Sequence, residues 1–219
     1  NLTFALTFTL SESSSDFTID DITATGGTLG SFSGSGITYT AIYTPTASST
    51  TAGTVLVSAN QFTDAAANAN TASNTINLTI DTLLPTIAIN SSDSILQSGE
   101  TSTITFTLSE SATDFAIGDI TVTGGTLGSL SGSDTSYSAV FTPTTSSTTA
   151  GTISVATSTF TDPSGNANTE SNTVDLTIDT QLPTVTITSD DSELKIGDVA
   201  TIIFTLNETS TDFTSADVD

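Results

Sequence analysis

Cysteine, histidine, methionine and tryptophan are all missing from these 219 residues, and a single lysine, Lys195, is the entire basic complement. Without cysteine there is no disulfide framework and no thiol chemistry. Without cysteine or histidine there is no ordinary zinc, haem or iron–sulfur site. Without methionine the chain also lacks a common oxidation target. One cation against 24 acidic residues leaves a net charge of −23. That balance excludes nucleic acid as a partner, because phosphate recognition needs clustered lysine and arginine, and it excludes anionic membrane surfaces for the same reason. Long apolar runs are missing too, so membrane insertion within this segment is not expected.

What is present is periodic. Charged residues make up only 11% of the chain, so the acidity is sparse and placed. A disordered acidic tail would carry it in runs and lack the recurring Ile, Val, Leu and Phe. A rigid chain without disulfides needs another source of stiffness, and hard-cation binding by carboxylates is the available one.

Self-similarity organises the whole sequence. Ser11-Glu12-Ser13 returns as Ser109-Glu110-Ser111 and again as Asn207-Glu208-Thr209. Asp16-Phe17 returns as Asp114-Phe115 and Asp212-Phe213, Asp81 as Asp179, and Pro85 as Pro183. Every step is 98 residues (110 − 12, 208 − 110, 179 − 81), without insertion or deletion. The chain therefore divides into 1–82, a repeat lacking its first strand; 83–180, a complete repeat; and 181–219, the start of a third. Ends that fall inside repeats are read as those of a piece cut from a longer array.

Each repeat reads as all-β. Ile104, Phe106 and Leu108 alternate with Thr103, Thr105 and Thr107, the pattern of a half-buried strand. Outward Thr-x-Thr runs of this kind are read as an ordinary solvent face, where threonine has good β propensity. Short strands are expected near 85–90, 101–108, 119–123, 127–131, 136–142, 152–158 and 173–178, punctuated by Gly124-Gly125 and Pro143. Seven short strands in about 100 residues match an immunoglobulin-like sandwich. The expected fold is all-β: tandem immunoglobulin-like β-sandwich repeats with a 98-residue period.

Up-and-down strand order places loops 109–118 and 159–172 at the end of the sandwich where the preceding linker enters. Glu110 and Asp114 lie in the first loop, Asp119 opens the next strand, Asp162, Asn166 and Asn168 lie in the second loop, and Asp81 lies in the linker. Gathered carboxylates repel one another unless a cation neutralises them, and calcium takes six to eight such oxygens. The same positions recur as Glu12, Asp16, Asp64 and Asn68 in the first repeat and as Asp179, Glu208 and Asp212 at the second junction. Calcium is the expected cofactor at these sites. The loop Asp162–Asn168 lacks the terminal glutamate and flanking helices of an EF-hand. An Asx-rich turn is the alternative reading of that loop taken alone; its recurrence and the facing glutamate favour calcium. Pro85 and Pro183 stiffen the linkers.

The pattern Leu-Ser-Glu, Asp-Phe, Asp-Ile-Thr-Val-Thr-Gly-Gly-Thr-Leu, Phe-Thr-Pro, Phe-Thr-Asp, Gly-Asn-Ala-Asn and Ile-Asp-Thr-x-x-Pro resembles the bacterial immunoglobulin-like repeats of giant surface adhesins and biofilm-associated proteins. The resemblance covers the whole chain, departing at Ala67 where the second repeat has Gly165, and at Asn207 where the others have serine. It implies export to the cell surface or medium, tandem arrays, and calcium at domain junctions. The expected role is a structural extender segment of a secreted or cell-surface adhesin, its partners being the neighbouring repeats of the same chain. The alternative is a subunit of an extracellular filament or sheath, joined to other copies of itself by strand donation. An enzyme is not expected: paired carboxylates can cleave glycosides, but these recur in every repeat, whereas a catalytic site is normally unique. Acceptor patterns for N-linked sugar begin at Asn1, Asn77, Asn90 and Asn207, as chance predicts in so Asn- and Thr-rich a chain.

Overall fold

The computed structural model describes residues 3–218; the acceptor pattern at Asn1 therefore starts outside the described residues. The chain is all-β, with only three single-turn 3-10 helices among the described residues. The first repeat holds β1 (Phe4–Ser14), β2 (Ile22–Thr25), β3 (Gly27–Pro45), β4 (Gly53–Val57) and β5 (Ile76–Leu78). The central repeat holds β6 (Ile87–Ser91), β7 (Ile95–Gln97), β8 (Ser102–Leu108), β9 (Ile120–Val122), β10 (Gly125–Leu127), β11 (Ser131–Ser133), β12 (Ser136–Pro143), β13 (Gly151–Val155) and β14 (Val174–Asp179). The third supplies β15 (Val185–Ser189) and β16 (Ile202–Leu206).

Two compact units result. The first comprises Asn1–Ala88, Leu108–Asp119 and Ala156–Ser171. In it β1 pairs antiparallel with β3, and β2, β4 and β5 form a second sheet. Their inward faces bury Phe17, Ile22, Tyr39, Tyr43, Val55, Val57 and Ile80. Phe17 sits edge-on to Tyr39 with ring centroids 5.0 Å apart, a favoured aromatic geometry. The buried Tyr43 hydroxyl donates to the Thr25 carbonyl at 2.7 Å, so the core carries no unsatisfied phenol there.

The second unit comprises Ile89–Thr107, Ile120–Val155 and Asn172–Asp219. One sheet of the central repeat runs β10-β12-β8-β6, with β11 also on β12; the other runs β7-β14-β13-β9. On β8 the residues Ser102, Ile104, Phe106 and Leu108 are buried while the threonines between them are exposed, the two-residue period of a strand with one solvated face. Gly124, at φ +72, packs against Gly151 so closely that a Cβ on it would fall 2.5 Å from the neighbouring Cα. The Gly124-Gly125 punctuation is thus a close backbone approach as well as a turn.

Two details differ from the expected strands. Residues 127–131 are not one strand: β10 ends at Leu127 and β11 begins at Ser131. And β7, pairing parallel with β14 through Ile95, Leu96 and Gln97, was not anticipated, because three residues are too few to show alternation. In the third repeat β15 and β16 pair antiparallel from Val185↔Leu206 to Ser189↔Ile202, leaving Val185 48% and Ile187 60% exposed.

Candidate metal centre

The linker after β5 is held by its own side chains. The Thr82 amide donates to the Ser49 carbonyl at 2.9 Å, and the Thr82 hydroxyl donates to the Thr46 carbonyl at 2.7 Å. Further along, Pro85 is buried and its carbonyl accepts from the Thr169 amide at 2.9 Å. Asp81 is thereby fixed beside loop 159–172. Its Oδ2 accepts from the Ser164 hydroxyl at 2.8 Å, and its backbone carbonyl accepts from the Asn166 side chain at 3.2 Å.

That loop is built around Asp162, which is only 2% exposed. Its Oδ1 accepts from the amides of Ser164 and Asn166, and its Oδ2 accepts from the Asn166 side chain, all at 2.8 Å. This is an Asx-type turn, so the alternative reading of the loop is correct for its local geometry. The same turn also aims a buried carboxylate at the linker. Gly165 closes it at φ +84, a left-handed conformation glycine adopts without penalty.

Glu110 enters from loop 109–118. One carboxylate oxygen each from Asp81, Glu110 and Asp162 lie within 4.8 Å of one another. Oε1 of Glu110 is buried and has no hydrogen-bond partner. Desolvation by burial, then the charges of Asp162 and Asp81, raise the Glu110 carboxyl above its ordinary range. A buried acceptor without a donor beside two further carboxylates is costly unless something positive satisfies it. Three carboxylates with a backbone carbonyl nearby are an all-oxygen donor set, which suits a hard divalent cation of the calcium type.

The remaining sequence-derived candidates fall into different places. Asp114 faces the same loop but accepts from the Thr161 amide at 2.7 Å and from the Thr161 hydroxyl. It ties the two loops together rather than joining the three carboxylates. Asp119 caps a 3-10 turn, accepting from the Ala116 amide at 2.8 Å. Asn166 contacts both Asp81 and Asp162, as above. Asn168, 1% exposed, is engaged with backbone: its Oδ1 accepts from the amides of Thr159 and Phe160, and its Nδ2 donates to the carbonyls of Ala156 and Thr169.

In the first repeat Asp16 repeats the Asp114 role, accepting from the Thr63 amide and hydroxyl. Asp64 and Asn68 repeat the Asp162–Asn166 turn bond for bond. Ala67 stands there at φ +65, so the departure from glycine leaves the turn intact. Glu12 and Asp64 both line one groove of the first repeat. At the second junction the Gln181 amide donates to Asp179, and Asp212 accepts from the Ser210 hydroxyl at 2.8 Å. Glu208 Oε1 is buried without a partner, as in Glu110. Two contributors went unnoticed in the sequence. Ser164, replaced by Ala66 in the first repeat, gave no signal; Thr161 was visible within the recurring Phe-Thr-Asp triplet, but its tie to Asp114 was not.

Among the described residues no helix is long and apolar enough to cross a membrane. Comparison with curated proteins finds no match. The family profile described as the bacterial Ig-like domain matches residues 1–80, 81–178 and 179–219. The last two matches begin one 98-residue period apart, and together the three span the chain, which belongs to the bacterial Ig-like domain family.

Proposed function

We propose that this chain is a structural extender segment of a secreted or cell-surface adhesin, whose repeats are held at fixed angles by calcium bound at their junctions. The observation that carries the reading is the meeting of Asp81, Glu110 and Asp162, with Glu110 Oε1 buried and undonated. Asp81 belongs to the linker, Glu110 and Asp162 to two loops of the following repeat. A cation held by all three ties the linker to both loops, while Thr82 ties it to the preceding turn. The cation supplies charge neutralisation; the protein's own residues supply placement. Extracellular calcium modules bind at about 0.1–1 mM, so such sites fill outside the cell and empty inside it. The role is mechanical, with no reaction assigned to the carboxylates.

Isothermal calorimetry of calcium binding, paired with small-angle scattering, tests the reading. Wild-type protein is expected to bind calcium with submillimolar affinity and to show a narrower distribution of dimensions than in chelator. Glu110→Gln is expected to weaken binding at this junction at least tenfold. Unchanged scattering and no binding heat would reduce the cluster to a solubilising surface.

A further inference from the structure

The central repeat is entered through β6 and β7 and left through β14, and these strands are joined directly to one another. β7 pairs parallel with β14, Ile95 opposite Thr177, Leu96 opposite Ile178 and Gln97 opposite Asp179. The Thr177 amide donates to the Ser94 carbonyl at 2.8 Å. Just ahead of β14, the Asn172 side chain accepts from the Ile89 amide on β6 and donates to the Ile89 carbonyl, both at 2.8 Å. Entry and exit segments are thus tied twice, once by a side chain and once by a ladder. Between the two ties the chain crosses from one sheet to the other, and that crossing is pinned. The Ser102 hydroxyl, on a residue 0% exposed, is bonded to the Ser91 hydroxyl at 2.8 Å and accepts from the Asp93 amide at 3.1 Å. Asp93 Oδ1 in turn accepts from the Ile95 amide at 2.9 Å.

Strand direction decides what such ties do under tension. In a parallel pair the N-terminal end of one strand and the C-terminal end of the other lie at opposite ends of the ladder. Pulling on the chain before β6 and after β14 therefore slides β7 along β14, and the bonds between them must fail together. Pulling both strands from the same end would open those bonds one at a time. Sliding also draws Ile89 and Leu96, 2% and 1% exposed, out of the core, and so brings apolar surface into water.

We propose that the central repeat carries tension through a clamp between its entry and exit strands, made by Asn172 on Ile89 and by β7 on β14. Force entering at β6 passes straight to β14, and the strands from β8 to β13 stay folded until the clamp shears. The proposal rests on the extender reading only for the source of the tension. The clamp itself contains no carboxylate of the Asp81, Glu110 and Asp162 cluster and needs no cation.

Single-molecule force spectroscopy of the full chain in chelator tests it. The sequence has no cysteine, so handles attach only at introduced pairs. Leu83→Cys with Gln181→Cys, both at exposed positions, loads the clamp in shear, and residue 83 follows Asp81, so that acid lies outside the path of the force. Ser98→Cys with Gln181→Cys, again exposed, loads the same ladder from one end. Forced unfolding reads the unfolding barrier, and the first pair is expected to rupture at about twice the force of the second or more. Asn172→Ala is expected to lower the first force by about a third and to leave the second unchanged, because a ladder opened from residue 98 parts before Asn172 is loaded. Equal forces for the two pairs would overturn the proposal, and that comparison needs no variant of the clamp. An Asn172→Ala chain that weakens both arrangements alike, or neither, would overturn it as well. Because every arm is run in chelator, a chain that fails to bind calcium in calorimetry sinks the junction reading without touching this result.

Discussion

Glu110 brings its carboxylate to a place where burial and two like charges disfavour ionisation. The unfolded chain therefore loses that proton at lower pH than the folded one. The group's contribution to stability is fully present below the ordinary glutamate range and is lost as pH rises through the raised value. Asp16 acts in the opposite sense: the Ser14 hydroxyl, then the Thr63 amide and hydroxyl, hold it below its ordinary range, so its contribution is lost as pH falls through that lowered value. Urea titrations in chelator at several acidic to neutral pH values separate the two. The gap between Glu110→Gln and wild type is expected to widen in the variant's favour as pH rises, and calcium is expected to reverse it. At the turn residue, nothing lies within 4 Å of a Cβ built on Gly165, so Gly165→Ala tests backbone strain alone. It is expected to cost about 1 kcal/mol, and Ala67→Gly to return a similar amount to the first repeat, read as shifts in denaturation midpoint.

The opening strand of the central repeat is secured by a side chain far away in sequence. Asn172 bridges the amide and carbonyl of Ile89 as another strand would. Removing it leaves backbone groups beside a 2%-exposed isoleucine without those partners, at a cost of about 1–3 kcal/mol. Asn172→Ala is expected to raise hydrogen exchange at Ile89 before it affects β12 or β13. The linkers use a second repeated device. Thr180 donates to the Thr144 carbonyl at 2.6 Å as Thr82 does to Thr46. Thr82→Val keeps the shape and deletes the hydroxyl, and is expected to cost about 1 kcal/mol in thermal stability without changing calcium affinity. A fall in affinity as large as that of Glu110→Gln would show that linker placement controls the site.

At the scale of the whole molecule a net charge of −23 opposes compaction in every repeat. Monovalent salt screens exposed charges over about 8 Å at physiological strength and is expected to stabilise wild type and Glu110→Gln alike. Calcium adds a specific term only where a site exists, about 1.4 kcal/mol at ten times the dissociation constant. Differential scanning calorimetry should therefore show a calcium increment in wild type, reduced in Glu110→Gln, above a salt increment common to both. Equal calcium increments in the two proteins would mean that the ion acts by screening.

The period, the strand type and the inward-facing residues are all legible in the amino-acid order. Ile104, Phe106 and Leu108 are buried because alternation with threonine allows only one registry against a core. That order also showed that acids from a linker and two loops recur together, since chain order and strand direction bring those segments to one end. What it could not rank was the acids among themselves. Asp81, Glu110 and Asp162 bring carboxylate oxygens within 4.8 Å of one another, whereas Asp114, Asp119 and Asn168 do not join them, and that division depends on where each side chain is carried once the loops close. The strand at Ile95–Gln97 was invisible for a related reason: three residues carry no period, and only the exposed edge of β14 makes them a strand.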